Sequence, residues 1–341
     1  MRVLVAMSGG VDSSVAAGLL QTAGHEVCGV TMKLWGGASD RGCCSVSDVD
    51  DARRVADRLG IDHHVFNFSD DFEARVVGPY VDAHAQGRTP NPCIECNRHL
   101  KFDRLVDRAV ALGFDAVATG HHARVVSRPG GGWRVARGAD SAKDQSYVLY
   151  MLGQEVLARV VLPVGAMTKD EVRRRAAAMG LRTAAKPDSQ EVCFIQSTGG
   201  RAAFLADRLQ LRPGTVRDTG GATVGEVAAV QLVTIGQRKG LGLAGGDQPR
   251  YVVEVDPAAG VVTVGSREDL RSAAVELTDL VWADRPVSGL VLAQCSAHGA
   301  PLAGRLEGDT LHWDQPQRKV APGQSVVLYE GDEVLGGGLA R

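Results

Sequence analysis

The chain has 341 residues, of which 44% are apolar and 23% are charged, and its formal net charge is −2. This composition excludes a largely disordered chain and argues against a uniformly basic nucleic-acid-binding protein, although it leaves room for a local basic face. No apolar run is long enough to span a bilayer, and the N-terminus lacks the long apolar core of a secretory signal. We therefore expect a cytoplasmic protein of two or three domains with no membrane partner.

The first 120 residues alternate strand and helix patterns. Strands are predicted at Arg2–Met7, Glu26–Leu34, Asp62–Phe68 and Ala116–Thr119, and helices at Val11–Ala23 and Asp48–Leu59. This α/β alternation predicts a parallel sheet covered on both faces, with its ligand at the carboxyl ends of the strands. Loops are predicted at Gly36–Val46, at Gln86–Asn97, where prolines are expected to break any helix, and at Pro187–Gln196.

From about Asp207 glycine becomes frequent and short alternating strands replace helices. This pattern predicts a small mixed or β domain followed by a β-barrel or sandwich. We place the domains at residues 1–205, 206–274 and 275–341. The strands predicted here are Val224–Ile235, Tyr251–Val255, Val261–Val264, Val287–Ala293, Thr310–Trp313 and Ser325–Tyr329.

A glycine-rich segment, SGGVDSS (Ser8–Ser14), lies between the first predicted strand and helix. Gly9 and Gly10 let the backbone approach a ligand closely, so that N–H groups and the helix N-terminus face an anion. Asp12 is unusual beside phosphates unless it binds a Mg²⁺ that bridges them. The segment lacks the lysine of a Walker A motif. It predicts a nucleotide phosphate loop, and a capped glycine-rich turn is the alternative.

The cysteines offer a second kind of chemistry. Cys93 and Cys96 form a CxxC pair, which is typical of zinc, iron–sulfur, redox or nucleophile sites, but no second pair at matching spacing supports zinc. Taken alone, the sequence around Cys193 favours a buried cysteine. If the nucleotide activates an oxygen of a substrate, however, a persulfide on Cys193 would supply the sulfur that replaces this oxygen. An odd count argues against a disulfide framework. The seven are Cys28, Cys43, Cys44, Cys93, Cys96, Cys193 and Cys295.

The loop resembles that of the N-type ATP pyrophosphatases, which split ATP between its α and β phosphates and adenylate an oxygen of the substrate. Together with motifs further along, the chain resembles the tRNA-specific 2-thiouridylases, which thiolate uridine 34 of certain tRNAs. The resemblance implies a HUP-like ATP-pyrophosphatase domain, a small central domain and a C-terminal β-barrel. The motifs are SGGVDSS, Thr89–Phe102, Ala118–Arg124, Lys143–Tyr150, Lys186–Ile195, Thr234–Gly242, Pro316–Gln324 and Gly331–Gly338.

The resemblance also implies roles for individual residues. Cys96 matches the family's catalytic nucleophile and Cys193 the cysteine that carries the persulfide. The matching ATP-contacting positions are Ala6, Met7, Ser8, Gly9, Gly10, Val11, Asp12, Ser13, Met32 and Gly120. Asn91, Pro92 and Cys93 match the segment near the target base, and the other tRNA-contacting positions are His121, Lys143, Asp144, Gln145 and Gln324.

The implied reaction uses ATP and Mg²⁺ to adenylate the C2 oxygen of uridine 34. A persulfide on Cys193, supplied by a cysteine desulfurase or a sulfur-relay protein, then delivers sulfur, and Cys96 closes a disulfide with Cys193. The products are 2-thiouridine, AMP and pyrophosphate. The expected substrates are the tRNAs for Lys, Glu and Gln, and we expect the protein to act as a monomer.

Two departures from the family pattern keep alternatives open. Cys93 stands where many members have Asp, and Ser296 and Ala297 stand where an Arg and an aromatic are common. Cys93, Cys96 and Cys193 together would ligate a [4Fe–4S] cluster, giving an iron–sulfur-dependent thiolase that uses hydrosulfide, although a spare thiol is the simpler interpretation. The remaining rivals are an amidotransferase-type synthetase and a non-enzymatic tRNA-binding or iron–sulfur protein with a decayed loop.

Overall fold

The structure is a computed structural model that describes residues 1–35, 46–188, 192–196, 198–243 and 248–341. The strands in chain order are β1 (Arg2–Ala6), β2 (Glu26–Lys33), β3 (Asp62–Asn67), β4 (Ala116–Ala118), β5 (Ala123–Ser127), β6 (Trp133–Arg137), β7 (Val160–Val161), β8 (Gly214–Asp218), β9 (Thr223–Val227), β10 (Tyr251–Asp256), β11 (Val261–Gly265), β12 (Arg271–Trp282), β13 (Gly289–Gln294), β14 (Leu302–Glu307), β15 (Thr310–Arg318), β16 (Ser325–Glu330) and β17 (Glu333–Ala340).

The helical segments follow the same order. The α-helices are α1 (Val11–Thr22), α2 (Val46–Leu59), α3 (Ser69–Phe72), α4 (Gly78–Ala85), α5 (Pro92–Glu95), α6 (Leu105–Ala111), α7 (Gln154–Leu157), α8 (Lys169–Ala178), α9 (Cys193–Gln196) and α10 (Arg201–Ala206). Glu73–Val77 and Cys96–Arg104 are π-helical, and Ser146–Leu149, Arg182–Ala185 and Val230–Leu232 are 3₁₀. None of the helices in the described ranges is both long and apolar enough to cross a membrane.

The N-terminal sheet is parallel, with the strand order β3-β2-β1-β4-β7. Val3, Leu4 and Val5 on its central strand are fully buried, because helices cover both faces. Gly24 and Gly60 adopt positive φ just beyond α1 and α2, where only glycine ends a helix without strain. The strands and helices predicted for the first 120 residues are therefore confirmed to within about two residues.

The prediction that Gln86–Asn97 is a loop was wrong for its second half. Pro92 lies in the first turn of α5, where a helix loses no hydrogen bond to the missing N–H of proline. The Asn91 side chain caps this helix, because its Oδ1 accepts the N–H of Cys93 at 3.0 Å. Of the other predicted loops, Pro187–Gln196 ends in the short helix α9, and its residues 189–191 lie outside the described residues. Gly36–Val46 also lies outside them except for Val46, which begins α2.

The central sheet is mixed and has the strand order β10-β11-β8-β9. The predicted strand Val224–Ile235 was wrong beyond Val227, where β9 ends and a 3₁₀ segment follows. The N–H of Val230 bonds to the carbonyl of Arg212, and the Gln231 side chain accepts the N–H of Arg212. The apolar run is thus anchored to the segment that precedes β8 instead of extending the sheet.

The C-terminal sheet runs β12-β15-β14-β13-β16-β17, and the pairing of β12 with β17 closes these strands into a six-stranded barrel. This confirms the predicted barrel. The hairpin β5–β6 adds to the barrel through Ala136 and Glu333, although it comes from the N-terminal part of the chain. Arg134 lies 3.3 Å from Glu333 and reinforces this join. The domain limits at 205 and 274 stay predictions.

A buried histidine makes the stability of the fold sensitive to acid. His84 on α4 is 3% exposed and packs its ring 4.6 Å from that of Tyr80. Burial and the charge of Arg201 lower the pKa of His84 to about 4, against a weaker opposing hydrogen bond with the Gln231 backbone. The unfolded chain therefore binds one more proton between pH 6.5 and 4, so the free energy of unfolding falls as the pH drops through this range.

We expect His84→Phe to remove most of that dependence. The pKa gap is worth roughly 3 kcal/mol in total, so between pH 7 and 4.5 wild type should lose about 2 kcal/mol more than the variant. Urea unfolding at both pH values measures the difference, with His312→Phe, at an exposed barrel position, as the control. Equal pH dependence in wild type and His84→Phe would show that His84 is already protonated in the folded state.

Candidate active site

The loop between β1 and α1 forms the floor of the site, at the carboxyl edge of the parallel sheet. Gly10 is the N-cap of α1 and offers no side chain, so the N–H groups of the first turn are left to a ligand. The hydroxyls of Ser13 and Ser14 donate to the Gly10 carbonyl at 3.3 and 2.7 Å, and Ser13 Oγ accepts the N–H of Ser8 at 3.2 Å. These bonds fix the curve of the loop around the helix start.

Two glycines lie where one backbone segment crosses another. Gly9 has φ +71°, and a Cβ there would overlap the backbone oxygen of Asp48 on α2. A Cβ on Gly120, beyond the end of β4, would lie 2.5 Å from the backbone nitrogen of Ser13. Both positions require glycine, and together they leave a cradle of backbone at the start of α1.

Asp12 in the first turn of α1 is held by two donors. Lys169 Nζ lies 2.7 Å from each of its carboxylate oxygens, and His122 Nε2 lies 3.0 Å from Oδ1. Burial acts to raise the pKa of Asp12, but the hydrogen bonds from His122 and Lys169 outweigh burial and lower it. Asp12 is therefore ionised at neutral pH, and Lys169 balances its charge.

Lys186 joins the loop to α2. Its Nζ donates to the Gly9 carbonyl at 3.0 Å and to the carboxylates of Asp48 and Asp51 at 2.7 and 2.8 Å. Burial acts to lower the pKa of Lys186, but the bonds with Asp48 and Asp51 outweigh burial and raise it. A charged Lys186 thus fixes the orientation of the Gly9 peptide within the loop.

Asp188 forms ion pairs with three cations, one of which is Lys169. Lys143 Nζ lies 2.7 Å from its Oδ2, and Lys169 Nζ and Arg173 Nη2 each lie 2.9 Å from its Oδ1. Burial acts to raise the pKa of Asp188, but the bonds from Lys143 and Lys169 outweigh burial and lower the pKa to about 2. Asp188 therefore stays ionised and pairs with cations from separate parts of the chain.

Cys96 and Cys193 are far apart in sequence but pack against the same apolar cluster, which also contains Met32. Both are half-buried, and each begins a helical segment. Phe194, 2% exposed, anchors the start of α9, with its ring 4.9 Å from Phe204. This cluster places the cysteines beside the same face of the sheet.

Cys93 is exposed, one helical turn before Cys96. Among the residues that the structure describes, no three His, Cys, Asp or Glu side chains are grouped so that they hold a metal ion. Cys43 and Cys44 lie outside the described residues.

The predicted tRNA-contacting residues differ in accessibility. Asp144 accepts bonds from Arg137, the Gly138 N–H and Ser146, and Gln145 exchanges two hydrogen bonds with the His122 backbone. These contacts shape the segment that presents Lys143. The side chain of Lys143 is 34% exposed and can therefore reach a ligand.

His121 and Gln324 are placed differently. His121 is 8% exposed, its Nδ1 lies 2.7 Å from Thr119 Oγ1, and burial lowers its pKa well below the usual range. Gln324 lies on the barrel loop whose Pro322 carbonyl accepts the N–H of Thr89 at 2.7 Å. This bond brings the barrel loop beside the segment that leads into Asn91, Pro92 and Cys93.

Lys169 and Lys186 were not among the residues predicted for the site. Lys169 lies in a stretch that signals only a helix start, since Thr168 and Glu171 form a capping box. Lys186 and Asp188 lie in a recognised motif, but nothing in their spacing shows that they face the loop. Only the close packing of α1 and α8 brings Lys169 to Asp12.

The donor set fits the phosphates of a nucleotide. The uncapped start of α1, the glycine cradle and the nearby ammonium groups of Lys169 and Lys186 all attract an anion. For Mg²⁺ the loop offers the Asp12 carboxylate, which has the ligand type that Mg²⁺ prefers. A metal at Asp12 competes with Lys169 for the same oxygens.

Three family models match the chain: a tRNA methyl transferase HUP domain over residues 1–197, a tRNA methyl transferase PRC-barrel domain over 202–266 and an aminomethyltransferase β-barrel domain over 293–340. A tRNA-specific 2-thiouridylase MnmA of Chloroflexus aurantiacus is 46% identical to the chain, over 99% of this chain and 97% of the relative. The chain belongs to the tRNA-specific 2-thiouridylase family.

Further 2-thiouridylases match equally well. The MnmA relative of Carboxydothermus hydrogenoformans is 46% identical, over 99% of this chain and 96% of its own length. The 2-thiouridylase resemblance read from the motifs is thus confirmed by relatives that match 99% of this chain.

A solved U34-tRNA thiolase, NcsA from Methanococcus maripaludis with its [4Fe–4S] cluster, matches with a TM-score of 0.39 and 17% identity, over 61% of this chain and 63% of that one.

Proposed function

We propose that this chain is a tRNA sulfurtransferase that uses ATP to convert a wobble uridine to 2-thiouridine. The observation that carries the proposal is the packing of Cys96 and Cys193 on one cluster of a sheet whose carboxyl edge holds a phosphate loop. The names of the full-length relatives support the same reaction, and the loop supplies its ATP-dependent half. An amidotransferase-type synthetase needs no such cysteines.

Adenylation comes first. The backbone at Gly9, Gly10 and the start of α1 binds the phosphates of ATP. Asp12 would hold a Mg²⁺, which would supply positive charge against the phosphates. The base of uridine 34 leaves its stack, because its C2 oxygen is otherwise inaccessible. That oxygen attacks the α-phosphorus, and pyrophosphate leaves. The oxygen is then part of AMP, a good leaving group.

Sulfur transfer follows on the cysteines. The terminal sulfur of a Cys193 persulfide attacks C2, and the C2–O bond breaks to release AMP. The Cys96 thiolate attacks the Cys193 sulfur, forms a Cys96–Cys193 disulfide and leaves the terminal sulfur on C2. Two cysteines are oxidised as the sulfane sulfur is reduced, so a dithiol reductant must reset the pair.

The partners follow from this cycle. A cysteine desulfurase or sulfur-relay protein loads Cys193, and the tRNAs for Lys, Glu and Gln are the proposed substrates. Lys143, the segment Asn91–Cys93 and Gln324 contact the tRNA. His121 is mostly buried, so we assign it to shaping the Gly120 turn beside them.

The test is thiolation of an anticodon-bearing tRNA by protein from which iron has been removed, with Mg·ATP and a persulfide donor added. We expect 2-thiouridine, AMP and pyrophosphate in equal amounts, all dependent on tRNA. Pyrophosphate release that needs ammonia and ignores tRNA would support a synthetase instead. Activity that appears only after anaerobic iron–sulfur reconstitution would support the cluster-dependent thiolase.

A further inference from the structure

A continuous chain of charged side chains connects the phosphate loop with Lys143. Asp12 contacts Lys169 at 2.7 Å, Lys169 contacts Asp188 at 2.9 Å, and Asp188 contacts Lys143 at 2.7 Å. The charges alternate along this series, so Lys169 lies between two carboxylates and Asp188 lies between two lysines, with Arg173 as its third cation. We call these four residues, Asp12, Lys169, Asp188 and Lys143, the charge relay.

The two inner members of the relay are its most enclosed. The Lys169 side chain is 11% exposed and that of Asp188 is 18% exposed, against 29% for Asp12 and 34% for Lys143. Solvent therefore screens the inner links weakly, while the outer members can reach ligands. Lys169 is also fixed at its backbone, because its N–H donates to Asp140 at 2.9 Å.

Resting on the function proposed above, we propose that Lys169 is a positioning residue through which the nucleotide and tRNA sites strengthen each other's binding. Without ligands, Lys169 bonds to both carboxylate oxygens of Asp12, and Mg²⁺ would need these same oxygens as ligands. When a tRNA phosphate draws Lys143 away, Asp188 loses a cation and attracts Lys169 more strongly. The hold of Lys169 on Asp12 then weakens, and Asp12 becomes available to Mg²⁺.

The reverse direction follows from the same contacts. Once Mg²⁺ takes the Asp12 carboxylate, Lys169 turns to Asp188 and neutralises it. Asp188 then binds Lys143 less strongly, so Lys143 is released toward the tRNA backbone. Linkage requires the two effects to be equal in free energy.

The test measures tRNA affinity with and without saturating Mg²⁺ and an ATP analogue whose α–β bridge is a methylene group. In wild type we expect the analogue to tighten tRNA binding by about fivefold or more. In Lys169→Gln we expect a change of less than about twofold, at analogue concentrations shown by calorimetry to saturate the variant. Asp188→Asn breaks the relay at the next link and should lose the coupling too, which guards against a folding defect in one variant.

Arg174→Gln is the matched control. Arg174 is exposed on the same helix, α8, and belongs to none of the contacts that link Asp12, Lys169, Asp188 and Lys143, so this variant should keep the wild-type coupling. Wild-type coupling in Lys169→Gln and Asp188→Asn would overturn the relay while leaving the proposed function intact. Failure of wild type to bind tRNA at all would instead contradict the proposed function.

Discussion

Replacing Cys193 with serine is expected to reduce tRNA thiolation on the order of 10³-fold or more, while tRNA-dependent pyrophosphate release stays within about tenfold of wild type. Adenylation depends on the phosphate loop, whereas the sulfur step depends on a thiolate that a serine hydroxyl cannot replace. Cys96→Ser should give the same loss of thiolation. Quantifying 2-thiouridine and pyrophosphate in the same reactions separates the two half-reactions.

The two variants should differ in one readout. Cys96→Ser should still accept labelled sulfur from a persulfide donor, and Cys193→Ser should not. Cys295→Ala is the control, because burial raises the pKa of Cys295 to about 12 and leaves it a poor nucleophile at neutral pH. Label on Cys96 but not on Cys193 would reverse the assigned roles.

Cys93→Ser separates the persulfide mechanism from the cluster alternative. Cys93 is exposed, and we expect its replacement to change the thiolation rate by less than about fivefold. A loss as complete as that of Cys96→Ser would indicate that all three cysteines act together, as ligands of one iron–sulfur cluster. The iron content of the purified variants provides the independent measurement.

The parallel half of the fold was predictable because its signals are local. Buried parallel strands read as apolar runs, and Gly24 and Gly60 mark the ends of their helices. The hairpin β5–β6 was not predicted, because its stability comes from pairing with β17 near the other end of the chain. The loop prediction for Pro92–Glu95 failed for another reason: proline ends a helix in its interior but favours the first turn.

The candidate site also has one part that the local sequence predicts and another that depends on tertiary contacts. The phosphate loop is one contiguous motif, so its strand–loop–helix setting can be read directly from the sequence. Lys169 and Asp188 gain their roles only through tertiary packing, since α8 meets α1 across a long stretch of intervening chain. Their local sequence signals only a capping box and a proline-containing loop, so it gives no indication of the ion pairs.

The glycine cradle leads to the second large effect, a loss of ATP use in Gly9→Ala. Gly9 has φ +71°, and the new methyl group would overlap the backbone oxygen of Asp48. Neither Gly9 nor Asp48 can move away easily, because the Lys186 ammonium group bonds to both the Gly9 carbonyl and the Asp48 carboxylate. The loop must shift instead, and its N–H groups then miss the phosphates.

We expect Gly9→Ala to lower kcat/KM for ATP by about 100-fold, since a displacement of about 1 Å costs this much in a positioned site. Gly24→Ala is the matched control, because Gly24 has φ +81° with no heavy atom of the described residues within 4 Å of the added Cβ. That control carries only left-handed strain, about 1 kcal/mol, and should leave ATP kinetics unchanged. Wild-type kcat/KM in Gly9→Ala would mean that the loop backbone does not contact the phosphates, whereas equal losses in both variants would trace the effect to stability.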